Sequence, residues 1–145
     1  LQGLDLVLVL ASNPVWPESV QLRRAAWAGI GDVKFSFVTH ISNMSFCKPD
    51  ENYYREICHA IGLPPTSCLM VGNDPVNDMV AGATGMKTYL TSDWEAIDQS
   101  TFALSRKIRE GRARETSRCD YSGPIAGLPD AIEELMKPEI KTGTH

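Results

Sequence analysis

The sequence predicts an α/β fold, a doubly wound parallel sheet in one domain. Two observations carry that prediction. Short apolar runs at 4–12, 34–40, 67–72 and 86–92 alternate with segments of helical character. Each of the first three runs, moreover, is followed by polar residues of the kind that bind ligands at the carboxyl edge of a parallel sheet.

The elements follow in order. "LDLVLVLAS" (4–12) is a near-continuous Leu/Val run, as expected for a strand buried on both faces. Asn13-Pro14 breaks it. The next segment, 17–31, reads as a helix with Pro17 in its first turn and Gly29 and Gly31 as stop signals. "KFSFVTH" (34–40) is the second strand. After a loop, 50–62 reads as a helix, with Asp50 as N-cap and Gly62 just past its end. "SCLMVG" (67–72) is the third strand, "NDPVND" a turn, and 76–85 a short helix ending at Gly85. "MKTYLTS" (86–92) is the fourth strand. Beyond it, 94–109 reads as helical and 113–124 as a surface loop. The segment 128–137 reads as a terminal helix packing Ala131, Ile132, Leu135 and Met136 on one face. The domain reading is therefore one unit, 1–145: a strand and helix core over 1–93, a loop-rich segment over 94–127, and the terminal helix.

A chain of 145 residues with 43% hydrophobic and 22% charged residues can bury a core, which excludes a disordered or fibrous chain. The net charge of −4 argues against nucleic acid as a partner. Its one exception is the basic stretch 105–118, read as a solvated face. No apolar run approaches the ~20 residues that span a bilayer, so no membrane partner is expected. Cys47, Cys58, Cys68 and Cys119 show no C-x-x-C spacing, which speaks against zinc and for reduced thiols in a cytoplasmic protein.

Chemistry belongs just after the strands. Ser12 and Asn13 follow the first strand, Lys48 the loop after the second, and Asn73, Asp74 and Asp78 the third. A hydroxyl, an ammonium and paired carboxylates on one edge suit a phosphate held by Ser12, Asn13 and Lys48, with Mg²⁺ on carboxylate oxygens. Each element also has a plainer reading. Ser12-Asn13-Pro14 is a good turn, Lys48 a loop lysine, and Asp74 and Asp78 are helix-capping carboxylates. His40 and Cys47 lie near the same edge, with a loop role the simpler account of the histidine. Trp27, Tyr53 and Tyr54 read as packing residues.

"LVLASNP", "CKPDENYYREI" and "CLMVGNDPVNDMVAGATGMKTYL" resemble motifs II, III and IV of the haloacid dehalogenase (HAD) superfamily of phosphohydrolases. The resemblance covers residues 4–93, with a fainter match at 120–123 and the last helix. It implies a HAD-like Rossmannoid core and Mg²⁺-dependent hydrolysis of a small phosphomonoester through an aspartyl-phosphate. Ser12 and Lys48 would act on the transferring phosphoryl group, and Asp78, Asp74 and Asn73 would hold the metal.

The chain departs from the family pattern twice. Asn73 stands between Gly72 and Asp74, so either Asn73 or Asp74 is the first ligand of the metal loop. No D-x-D, the motif that carries the family's nucleophile on a central strand, occurs in the 145 residues. The chain also starts at Leu1 rather than methionine. The expectation is therefore the C-terminal part of a longer protein, lacking the motif I strand and inactive by itself. Its two half-sheets would meet at a seam filled by an N-terminal companion segment, by another chain as in a homo-oligomer, or by a rearranged pairing. The alternatives are a non-catalytic HAD-like binding or regulatory module and, more remotely, a receiver-like or nucleotide-binding domain.

Overall fold

The structure is a computed structural model and describes residues 5–93 and 119–137. The expected helix at 94–109 and the basic stretch 105–118 lie outside the described residues. Among the described residues, five strands and three α-helices follow in chain order: β1 (Val9–Leu10), α1 (Glu18–Trp27), β2 (Phe37–Val38), α2 (Glu51–Ile61), β3 (Leu69–Gly72), β4 (Lys87–Thr91), β5 (Tyr121–Gly123) and α3 (Leu128–Met136).

The strands form two sheets, β1–β2 and β3–β4–β5. Val9 pairs with Phe37, Leu69 with Lys87 and Tyr89 with Tyr121, all in parallel. Among the described residues no ladder joins β1 to β3, which is the division expected of a sheet without its central strand.

Side-chain alternation along β3 produces the layers. Met70 enters a core with Tyr53, Tyr54, Ile57 and Cys58 of α2. Leu69 and Val71, pointing the other way, enter a second core with Tyr89 and with Leu128, Ala131 and Ile132 of α3. Helices thus cover both faces of the β3 sheet, as the doubly wound reading requires.

The local signals explain most boundaries. Pro17 precedes α1 at its N-cap, and the chain turns away at Gly29 with φ of 76°. The Asp50 carboxylate accepts the Asn52 N–H at 2.8 Å and starts α2, and Gly62, in the left-handed region, ends it.

Three expectations are corrected. The first strand spans two residues rather than nine, flanked by bonds from Ser36 N to Leu8 O and Thr39 N to Leu10 O. It is laddered on one side only, and its partner β2 is equally short. The segment 76–85 forms the short helix expected of it, a 3₁₀ helix over Met79–Thr84 capped at Gly85. Within the expected loop 113–124, Tyr121–Gly123 is a strand that extends the sheet beyond β4. Finally, Met136 is 60% exposed, whereas Leu128, Ala131 and Ile132 are buried. The apolar face is spent one turn before the helix ends.

Asp120 fixes the start of β5. Its Oδ2 accepts the Thr88 N–H and hydroxyl, both at 3.0 Å, and its Oδ1 accepts from Lys87 Nζ at 3.0 Å. Burial alone would raise its carboxyl pKa, but the bonds from Lys87 and Thr88 and the Lys87 charge outweigh burial and hold it below the usual value. A depressed carboxyl contributes stability above its unfolded pKa and loses it as pH falls through the folded value. Asp120→Asn should therefore melt earlier than the parent near neutral pH, with the gap closing below the ordinary carboxylate range. A gap in melting temperature that does not change with pH would contradict this charge-based account.

Candidate functional site

The candidate site lies at the carboxyl ends of β1 and β3. β3 ends at Gly72 because nothing larger fits there: a Cβ on this residue would lie 2.2 Å from Asp78 Oδ2. The Asp78 carboxylate therefore folds back over the strand end, where its Oδ2 accepts the N–H groups of Asn73 at 3.1 Å and Asp74 at 3.0 Å. Asp74 Oδ1 accepts the N–H groups of Val76 and Asn77, each at 3.0 Å, and its Oδ2 accepts from Asn77 Nδ2 at 2.9 Å. Both carboxylates are buried, with exposures of 8% for Asp74 and 5% for Asp78. The loop is thus held by the residues read as metal ligands: Asp74 closes the turn over Val76 and Asn77, while Asp78, at the N-cap of the 3₁₀ helix, makes no capping side-chain bond to it.

Lys48 arrives from the loop before α2, with a cis bond to Pro49. Its backbone N–H donates to Asn13 Oδ1 at 3.0 Å. Its ammonium donates to Asp78 Oδ1 at 2.6 Å, with side-chain exposures of 10% and 7%. The structure therefore links Asn13, Lys48 and Asp78 in one chain of hydrogen bonds and joins Asn73 and Asp74 to it through their backbones. Ser12 enters through its carbonyl. That oxygen accepts the Tyr53 hydroxyl at 2.8 Å and lies 2.5 Å from Thr39 Oγ1.

Tyr53 and Tyr54 were read as packing residues, and they do more. They are neighbours on α2, with rings at 5.0 Å and 89° to each other. Tyr53 reaches the β1 side and lies under the Lys48 ammonium, 5.8 Å from its ring centroid. Tyr54 donates to the carbonyl of Asn77, the residue before Asp78. Burial raises both phenol pKa values far above the ordinary. On Tyr53 the Thr39 hydrogen bond opposes it and the negative charge of Asp78 adds to it to a lesser degree, while on Tyr54 the Asp78 charge is the next cause after burial. Both hydroxyls therefore remain donors across the physiological range. The signal was available: two adjacent hydroxyl-bearing aromatics stand in the first turn of a helix five residues after Lys48.

Gln21, buried in α1, adds a brace that the sequence did not suggest. Its Nε2 contacts Asn13 O at 3.0 Å and Thr39 O at 3.3 Å. His40 stays in its own loop: its N–H donates to Asn43 Oδ1 at 2.8 Å, and its Nδ1 accepts from Ser42 N at 3.3 Å.

One ammonium facing two carboxylates leaves a single excess negative charge in a poorly hydrated pocket. Such a pocket repels a phosphate dianion; a divalent cation would reverse the sign. Asp74 and Asp78 would offer such a cation hard carboxylate oxygens, which suits Mg²⁺ completed by further oxygens from water or phosphate. Among the described residues no group of three His, Cys, Asp or Glu side chains that could hold a metal ion comes together.

Removing one member of a buried ion pair strands the other. Lys48→Met should lower unfolding stability by about 3–5 kcal/mol in urea titration. Adding Asp78→Asn should restore part of that loss, because the amide keeps backbone partners without a buried charge. A double variant no more stable than Lys48→Met would show the pair is not what the site rests on. Gly72→Ala, through its contact with Asp78, should cost about 1–3 kcal/mol.

Comparison with known proteins agrees with this arrangement. Residues 45–93, which carry Lys48 and the Asp74–Asp78 loop, match the HAD-hydrolase-like family. An uncharacterised protein from Listeria monocytogenes serotype 4b superposes with a TM-score of 0.61 at 20% identity, covering 92% of this chain and 74% of that one. A β-phosphoglucomutase from Clostridium difficile gives 0.51 at 14% identity, over 79% of this chain and 53% of that one. The chain thus spans about half the length of the phosphoglucomutase. No curated protein matches the sequence. The family match thus covers the segment that carries the lysine and the aspartate loop, and beyond that segment the chain shares the fold of these solved structures.

Proposed function

We propose that this chain forms the phosphate- and Mg²⁺-binding portion of a HAD-type phosphomonoesterase that works through an aspartyl-phosphate. The observation that carries the reading is the 2.6 Å contact between Lys48 and Asp78, which joins the loops after β2 and β3 next to Asn13.

Each residue then has a physical task. The Lys48 ammonium, fixed in place by Asp78 and Asn13, offsets charge on the transferring phosphoryl oxygens. The Ser12 hydroxyl donates to one of those oxygens, with its backbone held by Tyr53 and Thr39. Asp78 and Asp74, with Asn73 as a neutral oxygen donor, hold the Mg²⁺, which supplies charge neutralisation to the phosphate when bound. The nucleophilic carboxylate is supplied from outside the 145 residues, which contain no D-x-D, by a companion segment or another chain. The substrate class is a small phosphomonoester.

A second reading has its own support. The loop oxygens of Asp74 and Asp78 already accept hydrogen bonds from their surroundings, as expected of a HAD-like module that binds or regulates without catalysis.

Thermal denaturation separates the two. On the catalytic-core reading, Mg²⁺ together with an oxyanion phosphate mimic raises the melting temperature by several degrees, each alone does less, and Asp78→Ala abolishes the effect. The 145-residue chain alone should hydrolyse a chromogenic phosphomonoester no faster than its Asp78→Ala variant. No response to Mg²⁺ with the mimic would favour the non-catalytic module. Turnover by the chain alone that needs Asp78 would overturn the external nucleophile.

A further inference from the structure

Cys58 and Cys68 take no part in the site above, yet they meet. Cys58 lies in the last turn of α2, 4% exposed, and Cys68 lies just before β3. Their sulfurs are 3.8 Å apart, and both thiols are free. Turn chemistry sets this approach: the Cys58 carbonyl accepts the Leu63 N–H at 3.1 Å as the helix ends at Gly62, and Pro64–Ser67 curls back in a 3₁₀ turn. Two sulfurs in contact across an eleven-residue segment need about 1.8 Å of further approach to bond, a distance that side-chain rotation can supply.

We propose that Cys58 and Cys68 form a dithiol oxidation site that takes a hydroperoxide as oxidant and closes to an intrachain disulfide. The two sulfurs have different roles. Burial, then the neighbouring Cys68, pushes the Cys58 thiol up to about 12, so it stays protonated. Cys68, partly exposed, is the one that meets the oxidant. Its sulfur attacks the peroxide, the O–O bond breaks, and Cys68 becomes a sulfenic acid as an alcohol or water leaves. The Cys58 sulfur then attacks the sulfenic sulfur, forming the S–S bond. The hydroxyl leaves as water with the Cys58 proton. Two thiols lose two electrons, and the peroxide gains them.

The bond would tie α2, which carries Tyr53 and Tyr54, to the strand that leads into the Asp74–Asp78 loop. The proposal does not depend on the phosphatase reading, since both sulfurs lie outside that site.

Tryptic mapping tests it. The peptide between Arg55 and Lys87 holds Cys58 and Cys68 and no other cysteine. After brief hydrogen peroxide treatment of the folded chain and alkylation, that peptide should appear unalkylated and lighter by two hydrogens, about 2 Da, and dithiothreitol should reverse the change. In the Cys58→Ser variant, Cys68 should instead be trapped by dimedone as a sulfenic acid. In denaturant, pairing should scatter among the four cysteines. Both thiols remaining alkylatable while Cys47 or Cys119 oxidises would overturn the site, as would disulfides from Cys58 or Cys68 to other peptides as the main native product.

Discussion

The site depends on one buried ion pair. Lys48 and Asp78 come from loops 30 residues apart, and neither charge is tolerable in its pocket without the other. The pair lies at the end of a network that also determines backbone course. Asn13 holds the Lys48 amide, Asp78 gathers the amides of Asn73 and Asp74, and Gly72 leaves the space into which the Asp78 carboxylate folds. Electrostatics and chain path are thus one constraint. The loop is gathered around the Asp78 carboxylate, and that carboxylate is held in turn by Lys48 and the amides.

Much of this was legible in the sequence because it rests on local chemistry. Asp50 and Gly62 bound α2 as their types predict, and strand–helix alternation gave the parallel topology. The association of Asn13, Lys48 and the Asp74–Asp78 loop followed from the rule that ligand residues gather after strands. Asp74 orders its loop through the amides of Val76 and Asn77. A carboxylate can order a loop and still present lone pairs to a cation.

What the sequence hid depends on partners distant along the chain. β1 looked long because its Leu/Val run is long, but a ladder extends only as far as its neighbour. β5 is three residues, too short for any periodic signal, and it exists because Asp120 grips Thr88 and Lys87 across 32 and 33 positions. The hydroxyls of Tyr53 and Tyr54 looked incidental on an apolar helix face. Only the folded chain shows each one capping a carbonyl that belongs to the site.

The two adjacent tyrosines have a mechanical consequence. One hydroxyl is bonded to the chain at the end of β1, and the other to the loop that follows β3, on the far side of a boundary without a backbone ladder. The helix therefore acts as a crossbeam between two leaves of sheet. Any sliding of one leaf along the other must either stretch one of those two bonds or carry the helix with it. The spacing of the ammonium and the aspartate loop is then governed less by the sheet than by the stiffness of a single helical turn.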